Sequence, residues 1–343
     1  MIRIVARRAC FAAALVLMAL PPAAPAFAWG AEGHRLVGEI GAAAFAPELP
    51  AFLRAPGAAD DIGEWAREPD RSKGAGEPHD GERDPAHTVR VDDDGQVMGG
   101  PPLASLPPTR EAYDTALRAV GSDQYKAGYL PYAIMDGWQQ LVKDFTYWRI
   151  LTAAEHHAAT PARKAYYARD RMRREKQTVM DLGIWAHFVG DASQPLHVTV
   201  HLNGWGDYPD PDRYTKKKIH AFFEGAFVHR FVTYAMVRAR LPAPAPDCRC
   251  SIAQRTAAYI ADTHKYSEAV YRLYKDGAFS DANPRGEDFA AARIAAGAAQ
   301  LRDMTLAAWR ASAEGRIGYP DMVTVGDVES GRKDPYMALR GQD

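Results

Sequence analysis

The strongest constraint on the fold is a long helical pattern that begins at Pro161 and runs to Asp191. In its last two turns, His187 and Asp191 are four residues apart, so a helix would stack the imidazole and the carboxylate on a single face. Pro195 ends the helix, and His197 follows the break, where its side chain can point elsewhere. We therefore predict that this stretch joins two metal sites, with His187 and Asp191 on one ion.

A second histidine–carboxylate pair has the same spacing. His220 and Glu224 are also four residues apart, and an irregular segment lies next to them. One such pair arises easily by chance, but two pairs beside loops with further potential ligands favour a metal centre.

The first 28 residues are typical of a secretory signal peptide. A basic start precedes a short apolar run over residues 9–20, and Ala26-Phe27-Ala28 is a small-x-small cleavage signal. The apolar run is too short to span a membrane. We expect cleavage before Trp29 and export to the periplasm or the medium; an uncleaved anchor is the less favoured alternative.

Charge gives the chain no general attraction for polyanions. Lys and Arg number 42 and Asp and Glu 43, and the predicted signal peptide removes Arg3, Arg7 and Arg8 but no acid. The slightly acidic remainder has no global electrostatic affinity for nucleic acid or an anionic membrane. Binding of a polyanion would therefore need a local cationic site, which bound metal ions could supply.

The cysteines do not suggest a disulfide framework. After loss of Cys10 with the signal peptide, only Cys248 and Cys250 remain. One intervening residue is a poor geometry for a disulfide. We expect an unbridged surface loop, with a thiolate metal site as the less favoured alternative.

Hydrophobic periodicity predicts a mainly α, single-domain protein. No repeat or linker divides the chain, so the catalytic domain is predicted over residues 29–314, followed by an irregular tail over residues 315–343. The predicted helices are 35–45, 58–66, 106–119, 128–153, 161–191, 219–240, 252–275 and 287–313. Residues 72–86 and 198–218 are predicted as loops, and residues 87–92 as a short extended piece.

Three motifs, taken in order, resemble the superfamily of zinc-dependent phospholipases C and single-strand-specific nucleases of the S-one/P-one type. They are Trp29-Gly30-x-x-Gly33-His34, His187-Phe188-x-Gly190-Asp191-x-x-Gln194-Pro195-Leu196-His197, and His220-x-x-x-Glu224. Residues 294–312 also resemble the final helix of that family. The resemblance implies a multi-helix phospholipase C/nuclease-like fold with an interior metal cleft.

The resemblance also implies three zinc ions per chain. The first would be held by the amino nitrogen and carbonyl oxygen of Trp29 with His34 and Asp191, the second by Asp70, His87, His187 and Asp191, and the third by His197, His220 and Glu224. Three protein ligands on the third ion leave a coordination place for water or substrate. Asp70 and Asp191 are the catalytic candidates; Glu68 and Asp61 are alternatives to Asp70.

The implied reaction is phosphodiester hydrolysis by a metal-bound hydroxide. Residues 33–40 are most similar to the bacterial nucleases, so single-stranded DNA or RNA is the favoured substrate, with 3′-nucleotidase activity in addition. Trp205, Tyr208 and Tyr214 are candidates for stacking on a base, and residues 216–218 for following a phosphate backbone. An aromatic-stabilised loop and a solvated lysine run are the alternatives.

Two other functions remain open. Glu224 and residues 128–132 are more typical of a zinc-dependent phospholipase C acting on phospholipid head groups, whereas nucleases more often have aspartate at the position of Glu224. A non-enzymatic zinc-binding protein is the minor alternative. His201 is expected to be exposed to solvent or to support a ligand. We expect no stable membrane anchor and no protein partner.

Overall fold

The structure is a computed structural model that describes residues 29–281, 283–320 and 322–341. The predicted signal peptide, residues 1–28, lies outside the described residues. The chain is a mainly α single domain, as the hydrophobic pattern predicts. Among the described residues, no helix is both long enough and apolar enough to span a bilayer.

The α-helices are α1 (Gly30–Ala43), α2 (Ala58–Trp65), α3 (Glu68–Arg71), α4 (His79–Arg83), α5 (Arg110–Arg118), α6 (Gln124–Ala127), α7 (Leu130–His156), α8 (Pro161–Asp191), α9 (Val228–Phe231), α10 (Tyr234–Ala239), α11 (Ile252–His264), α12 (Ser267–Lys275), α13 (Pro284–Ala311), α14 (Val325–Glu329) and α15 (Tyr336–Arg340). A π-helix covers Phe222–Phe227. Short 3₁₀ helices cover Ala51–Arg54, Asp84–His87, Leu103–Ser105, Pro195–Val198 and Ser312–Glu314. Two strands, β1 (Arg316–Ile317) and β2 (Val323–Thr324), pair antiparallel.

Helices α7 and α8 make the most extensive contact between two helices and form the frame of the domain. Helix α8 has the predicted bounds because Thr160 caps it, accepting a hydrogen bond from Arg163 N, and Pro161 occupies its first turn. Helix α7 packs along α8, and α1, α2 and α13 pack around this pair. Their buried apolar side chains form one core that reaches from Leu36 to Ala308.

Several predicted elements are interrupted. Residues 72–86 were expected to be a loop, but they contain α4 and the start of the 3₁₀ helix Asp84–His87. The predicted helix over 219–240 is a π-helix, then α9 and α10, with a break at Val232 and Thr233 where Thr233 caps α10. The predicted helix over 252–275 divides into α11 and α12.

The tail prediction is wrong for much of residues 315–341. The hairpin β1–β2 and helices α14 and α15 lie against α7 and α8, and Ile317, Val325 and Val328 are buried with Ile150 and Tyr167 in a second apolar cluster. The apolar residues of these short elements are too few to produce a periodic pattern, so only their tertiary contacts reveal them.

The expectation of an unbridged cysteine loop is also wrong. Cys248 and Cys250 form a disulfide with their Cα atoms 5.1 Å apart, within the usual range for a disulfide. The intervening Arg249 adopts a left-handed backbone conformation with φ of 49°, which turns the chain back on itself. The bond joins residues only two apart in sequence, so it does not link separate elements of the fold.

Candidate metal centre

Eight of the predicted ligand side chains converge at the floor of a cleft, and each is at most 7% exposed. They come from α1, α3, the 3₁₀ helix before Thr88, the end of α8, the 3₁₀ helix after Gln194, the residues just before the π-helix, and the π-helix itself. They form three groups of potential ligands: His34, His187 and Asp191; Asp70, His87 and His187; and His197, His220 and Glu224.

The first two groups share His187 and are called here the inner cluster: His34, Asp70, His87, His187 and Asp191. His187 Nε2 lies 2.9 Å from His87 Nδ1 and 3.4 Å from Asp191 Oδ2. Asp191 Oδ2 is also 3.2 Å from His87 Nδ1, and Asp191 Oδ1 is 3.5 Å from His34 Nε2. The Asp191 carboxylate therefore lies among four histidines, since its Oδ1 is also 3.5 Å from His197 Nδ1, and it could bridge two ions.

The third group is called here the outer cluster: His197, His220 and Glu224. His220 Nε2 lies 2.6 Å from Glu224 Oε2, and His197 Nε2 lies 3.2 Å from the same oxygen. The two Nε2 atoms are 2.9 Å apart. The three potential ligand atoms thus lie within 3.2 Å of one another, close enough to bind the same ion.

Backbone carbonyl groups determine which ring nitrogen carries the hydrogen. Nδ1 donates to Ala66 O at 2.8 Å in His187, to His87 O at 2.6 Å in His197, and to Leu202 O at 2.7 Å in His220. A carbonyl oxygen can only accept, so each Nδ1 is protonated and the neutral ring presents its Nε2 lone pair to the cluster. This carbonyl-oriented geometry is typical of metal-binding histidines.

The clusters consequently hold more acceptors than the two nearby donors, Gln194 Nε2 and the Lys73 ammonium group, can satisfy. In the outer cluster, two Nε2 lone pairs and a carboxylate face one another. In the inner cluster, Asp191 Oδ1 and both ring nitrogens of His34 are buried and have no hydrogen-bond partner among the described residues. Buried acceptors that face each other are strongly unfavourable. A cation removes this conflict, and imidazole with carboxylate is a donor set that suits zinc.

The electrostatics favour the metal-binding forms of the inner histidines. Burial lowers the pKa values of His34, His87 and His187 well below 6.5, so these rings are neutral at pH 7. Burial also raises the pKa of Asp70 to about 6, although the neighbouring Lys73 opposes this shift. The pKa of Asp191 is raised by burial as well.

His220 behaves differently. Burial opposes a charge on its ring, but the adjacent Glu224 carboxylate outweighs burial and raises the pKa of His220. The pKa of His197 is lowered by burial. The outer cluster therefore contains one histidine that takes up a proton more readily than any histidine of the inner cluster.

Two motif residues have clear structural roles. A Cβ added to Gly190 would lie 3.2 Å from His34 Nδ1, so glycine allows α8 to approach the His34 ring. The Gln194 side chain accepts from Leu196 N at 2.6 Å and donates from Nε2 to Glu224 Oε2 at 3.0 Å. Gln194 thus holds the turn before His197 and the outer carboxylate together, a role that the sequence reasoning did not assign.

Asp70, and not Glu68 or Asp61, reaches the cluster. Its Oδ1 lies 3.9 Å from His187 Nε2. The Glu68 carboxylate points away and pairs with Arg71, and Asp61 is exposed on α2. The sequence alone left three alternatives because it does not show which of these carboxylates points toward the cluster.

Sequence reasoning also missed Lys73. Its ammonium group lies 2.6 Å from Asp70 Oδ1, with the side chain 13% exposed. It lines a cleft of about 810 Å³ above the clusters, together with Arg67 and Arg71. Both arginines contact Glu64, so Lys73 is the cation of this set that lies beside a candidate ligand. The spacing of three residues after Asp70 was the available signal.

The stacking prediction is wrong for two of its three aromatic residues. Trp205 and Tyr214 are 6% and 7% exposed, and their rings pack 4.7 Å apart. They form the apolar centre of the loop and have no free face for a base. Tyr208 is 41% exposed and remains available. His201 is also buried rather than solvent-exposed, and its ring stacks on Trp205.

Trp29 is buried at the start of α1, and its indole N–H donates to Ser193 Oγ at 2.8 Å. The first turn of α1 packs against the π-helix, because a Cβ on Gly30 would lie 3.1 Å from Glu224 O. The predicted chelate requires a free amine on Trp29. Residue 28 lies outside the described residues, so the Trp29 ligand stays a prediction.

A second cavity of about 570 Å³ shares His87 with the cleft. Its walls include Tyr129, Trp185 and Phe188, with acidic groups such as Asp136 among the other lining residues. Two cavities thus meet beside the inner cluster, and the second has the aromatic wall.

The sequence matches no protein-family model, and a search of curated proteins finds no match. Among solved structures, the chain is similar to the crystal structure of Clostridium perfringens alpha-toxin isolated from avian strain SWCP. The identity is 13%, the similarity covers 83% of this chain and 67% of that chain, and the TM-score is 0.34. Values this low carry no conclusion about activity, so the function must be argued from the cleft itself.

Proposed function

We propose that the chain is an exported, zinc-dependent phosphodiesterase that holds three zinc ions and hydrolyses single-stranded DNA or RNA, with 3′-nucleotidase activity in addition. The observation that carries this proposal is the convergence of buried acceptors at the floor of an open cleft. The motif resemblance to zinc-dependent phospholipases C and nucleases supports the same reaction class.

The protein makes two contributions to this reaction, one from a side chain and one from the backbone, and bound zinc would make the third. Asp191 would hold both inner ions, because its two oxygens face different histidines. Three backbone carbonyls keep the ligand rings in the tautomer that binds metal. Zinc bound in these clusters would activate water and neutralise charge on the phosphate and leaving group.

Lys73 contributes a further positive charge at the cleft wall. Its ammonium group is held beside Asp70, close to where a phosphate bound at the inner cluster would lie. A positioned cation of this kind stabilises the charge that develops on a phosphoryl group in the transition state. Arg67 and Arg71 line the same cleft, but Asp80 and Asp84 line it too, so the support for an anionic substrate comes from Lys73 and the proposed ions.

The direct test incubates protein that begins at Trp29 separately with single-stranded DNA, RNA, a 3′-nucleotide and phosphatidylcholine vesicles. We expect hydrolysis of the nucleic acids and of the 3′-phosphate, abolished by a chelator and restored by zinc. His220→Ala should lose activity, whereas His229→Ala, at an exposed histidine outside both clusters, should retain it. Activity on phosphatidylcholine alone would overturn the choice of substrate.

Phospholipase C activity is the second candidate. The cavity beside His87, with its aromatic wall and acidic members, would suit a phosphodiester that carries an apolar or cationic group. The vesicle arm of the same experiment tests this candidate directly. Zinc content of fewer than two ions per chain would count against both enzymes.

The Trp29 chelate and export form one linked part of the proposal. Signal-peptide cleavage would create the amine that binds zinc, and metal binding would drive its deprotonation. A variant with one extra residue before Trp29 should contain less zinc than the correctly processed chain. Full zinc content in that variant would refute the N-terminal ligand while leaving the side-chain clusters untested by it.

A further inference from the structure

One buried hydroxyl clamps the turn that orients the outer cluster. Tyr271, on α12, is fully buried. Its hydroxyl donates to His201 O at 2.5 Å and accepts from Gly204 N at 3.0 Å. A single side chain thereby fixes both ends of the turn over residues 201–204.

The two residues inside this turn bind His220. Leu202 O accepts the Nδ1 hydrogen of His220 at 2.7 Å, and Asn203 Oδ1 accepts the His220 backbone N–H at 3.2 Å. The turn therefore determines both the ring tautomer and the backbone position of this histidine. Displacement of the turn would turn the Nε2 atom away from Glu224.

Helix α12 also reaches the segment that carries the other outer histidine. Ser267 is four residues before Tyr271, on the same helix face. Its hydroxyl donates to Pro195 O at 3.0 Å, at the start of the 3₁₀ helix that contains His197. Two hydroxyls on one face of α12 thus anchor the backbone on both sides of the outer cluster without touching a ligand atom.

We propose that Tyr271 is a positioning residue for the outer cluster: its hydroxyl holds the 201–204 turn, and the turn sets the affinity of His197, His220 and Glu224 for their metal ion. Ser267 supports the same cluster from the His197 side. This inference rests on the proposed metal centre, but it concerns metal affinity and needs no assumption about the substrate.

The aromatic packing around the turn allows a specific test. The Trp205 ring stacks on His201 at 3.8 Å and meets the Tyr271 ring edge-on at 5.2 Å. Tyr271→Phe keeps these ring contacts and removes only the hydroxyl. The matched control is Tyr113→Phe, because Tyr113 is equally buried and its hydroxyl also donates to a backbone oxygen, that of Gly128, at 2.7 Å.

The experiment measures zinc affinity by competition with a chelator, using the full processed chain and no substrate. We expect Tyr271→Phe to lower the affinity for one of the three zinc ions by about 10- to 100-fold, the range found for groups that orient ligands. Tyr113→Phe should leave the affinity for all three ions unchanged. Cobalt substituted at the outer cluster should show an altered visible spectrum in Tyr271→Phe only. Ser267→Ala should lower the affinity for the same ion, by a smaller factor.

A double-mutant cycle separates positioning from general destabilisation. In a chain that carries His220→Ala and has lost the outer ion, Tyr271→Phe should leave the affinity for the two inner ions unchanged, whereas a fall in that affinity would indicate general destabilisation. If both Tyr271→Phe and Ser267→Ala leave the outer zinc affinity unchanged, the positioning role of Tyr271 is refuted and the metal centre is not. If the wild-type chain binds no zinc at the outer cluster, the proposed metal centre is refuted, and the positioning role of Tyr271 is refuted with it. If Tyr271→Phe does not fold, the Ser267→Ala result decides.

Discussion

The inner and outer clusters use similar ligands but are built differently. The inner ligands lie mainly on helices of the core, and His187 and Asp191 are each close to ligands of both inner groups. The outer ligands lie on a 3₁₀ helix, just before a π-helix and within it, next to the loop over residues 198–218. The inner cluster therefore depends on helix packing, whereas the outer cluster depends on backbone carbonyls and buried hydroxyls that hold a loop.

The electrostatic difference follows from this architecture. Several buried histidines crowd the inner cluster, and their pKa values are lowered by burial. In the outer cluster, Glu224 is in direct contact with His220 and raises its pKa. We expect the inner ions to be retained more firmly and the outer ion to exchange more readily, which suits an ion that must also contact substrate.

The largest expected effect comes from Asp191→Asn. The amide keeps the size of the side chain but removes the charge that lies among four histidines, so the affinity for both inner ions should fall together. Loss of metal stabilisation worth several kcal/mol corresponds to a fall in kcat/KM of about 10³-fold or more. Zinc analysis and phosphodiesterase assays measure this, with Asp207→Asn, at an exposed loop carboxylate, as the control. Loss of a single ion would contradict the bridging role.

His220→Ala should have a narrower effect. It removes one outer ligand and leaves every inner ligand in place, so we expect loss of one zinc ion while two remain. Activity should fall by about 10²-fold, since the outer ion shares the stabilisation of the phosphate with the inner pair. Loss of all zinc would show that the two clusters are not independent.

Lowering the pH should release the ion of the outer cluster before those of the inner cluster, without any mutation. Zinc binds neutral imidazole, so a proton competes with the metal below the pKa of each ring. Because Glu224 raises the pKa of His220 above 6.5, outer affinity should begin to fall near neutral pH, by up to about tenfold per pH unit. The inner histidines have lowered pKa values, so their ions should persist to lower pH. Chelator competition between pH 8 and pH 5 would check the order, and release of the inner ions first would reverse the comparison.

The smallest expected effect concerns the cleft wall beside the inner cluster. Lys73→Met removes the ammonium group near Asp70 and keeps most of the aliphatic stem. We expect unchanged zinc content and a fall in kcat/KM of about tenfold, equivalent to one well-placed charge. Lys126→Met is the control, because this exposed lysine of α6 also pairs with an aspartate three residues before it and does not line the cleft. A loss of zinc in Lys73→Met would assign the lysine to the structure of the metal centre instead.

Predictability differed between local and non-local features. The bounds of α8 agree with the sequence pattern because a threonine cap, a proline at the first turn and a proline after the last turn are local signals. The π-helix over Phe222–Phe227 and the break before α10 have no comparable signal. The tail hairpin was missed because its few apolar residues form no periodic pattern and are buried only by packing against α7 and α8.

The same distinction applies to candidate site residues. Trp205 and Tyr214 have the composition of a stacking surface, yet the loop folds around them and buries their faces. Lys73 and Tyr271 carry no motif at all, and their relevance follows from distances to Asp70 and to the 201–204 turn. A one-dimensional pattern does not report which side of a loop faces the cleft.

The sequence by itself determined the two histidine–carboxylate pairs, because the period of a helix places residues four apart on one face. It also determined the mainly α character and the position of the helix that carries His187 and Asp191. Only the tertiary structure decided that His187 and His87, 100 residues apart in the chain, lie 2.9 Å from each other, and that Asp70 is the carboxylate beside them. The physical reason is that spacing along a helix is local, whereas a shared metal site requires separate segments to be packed together by the core.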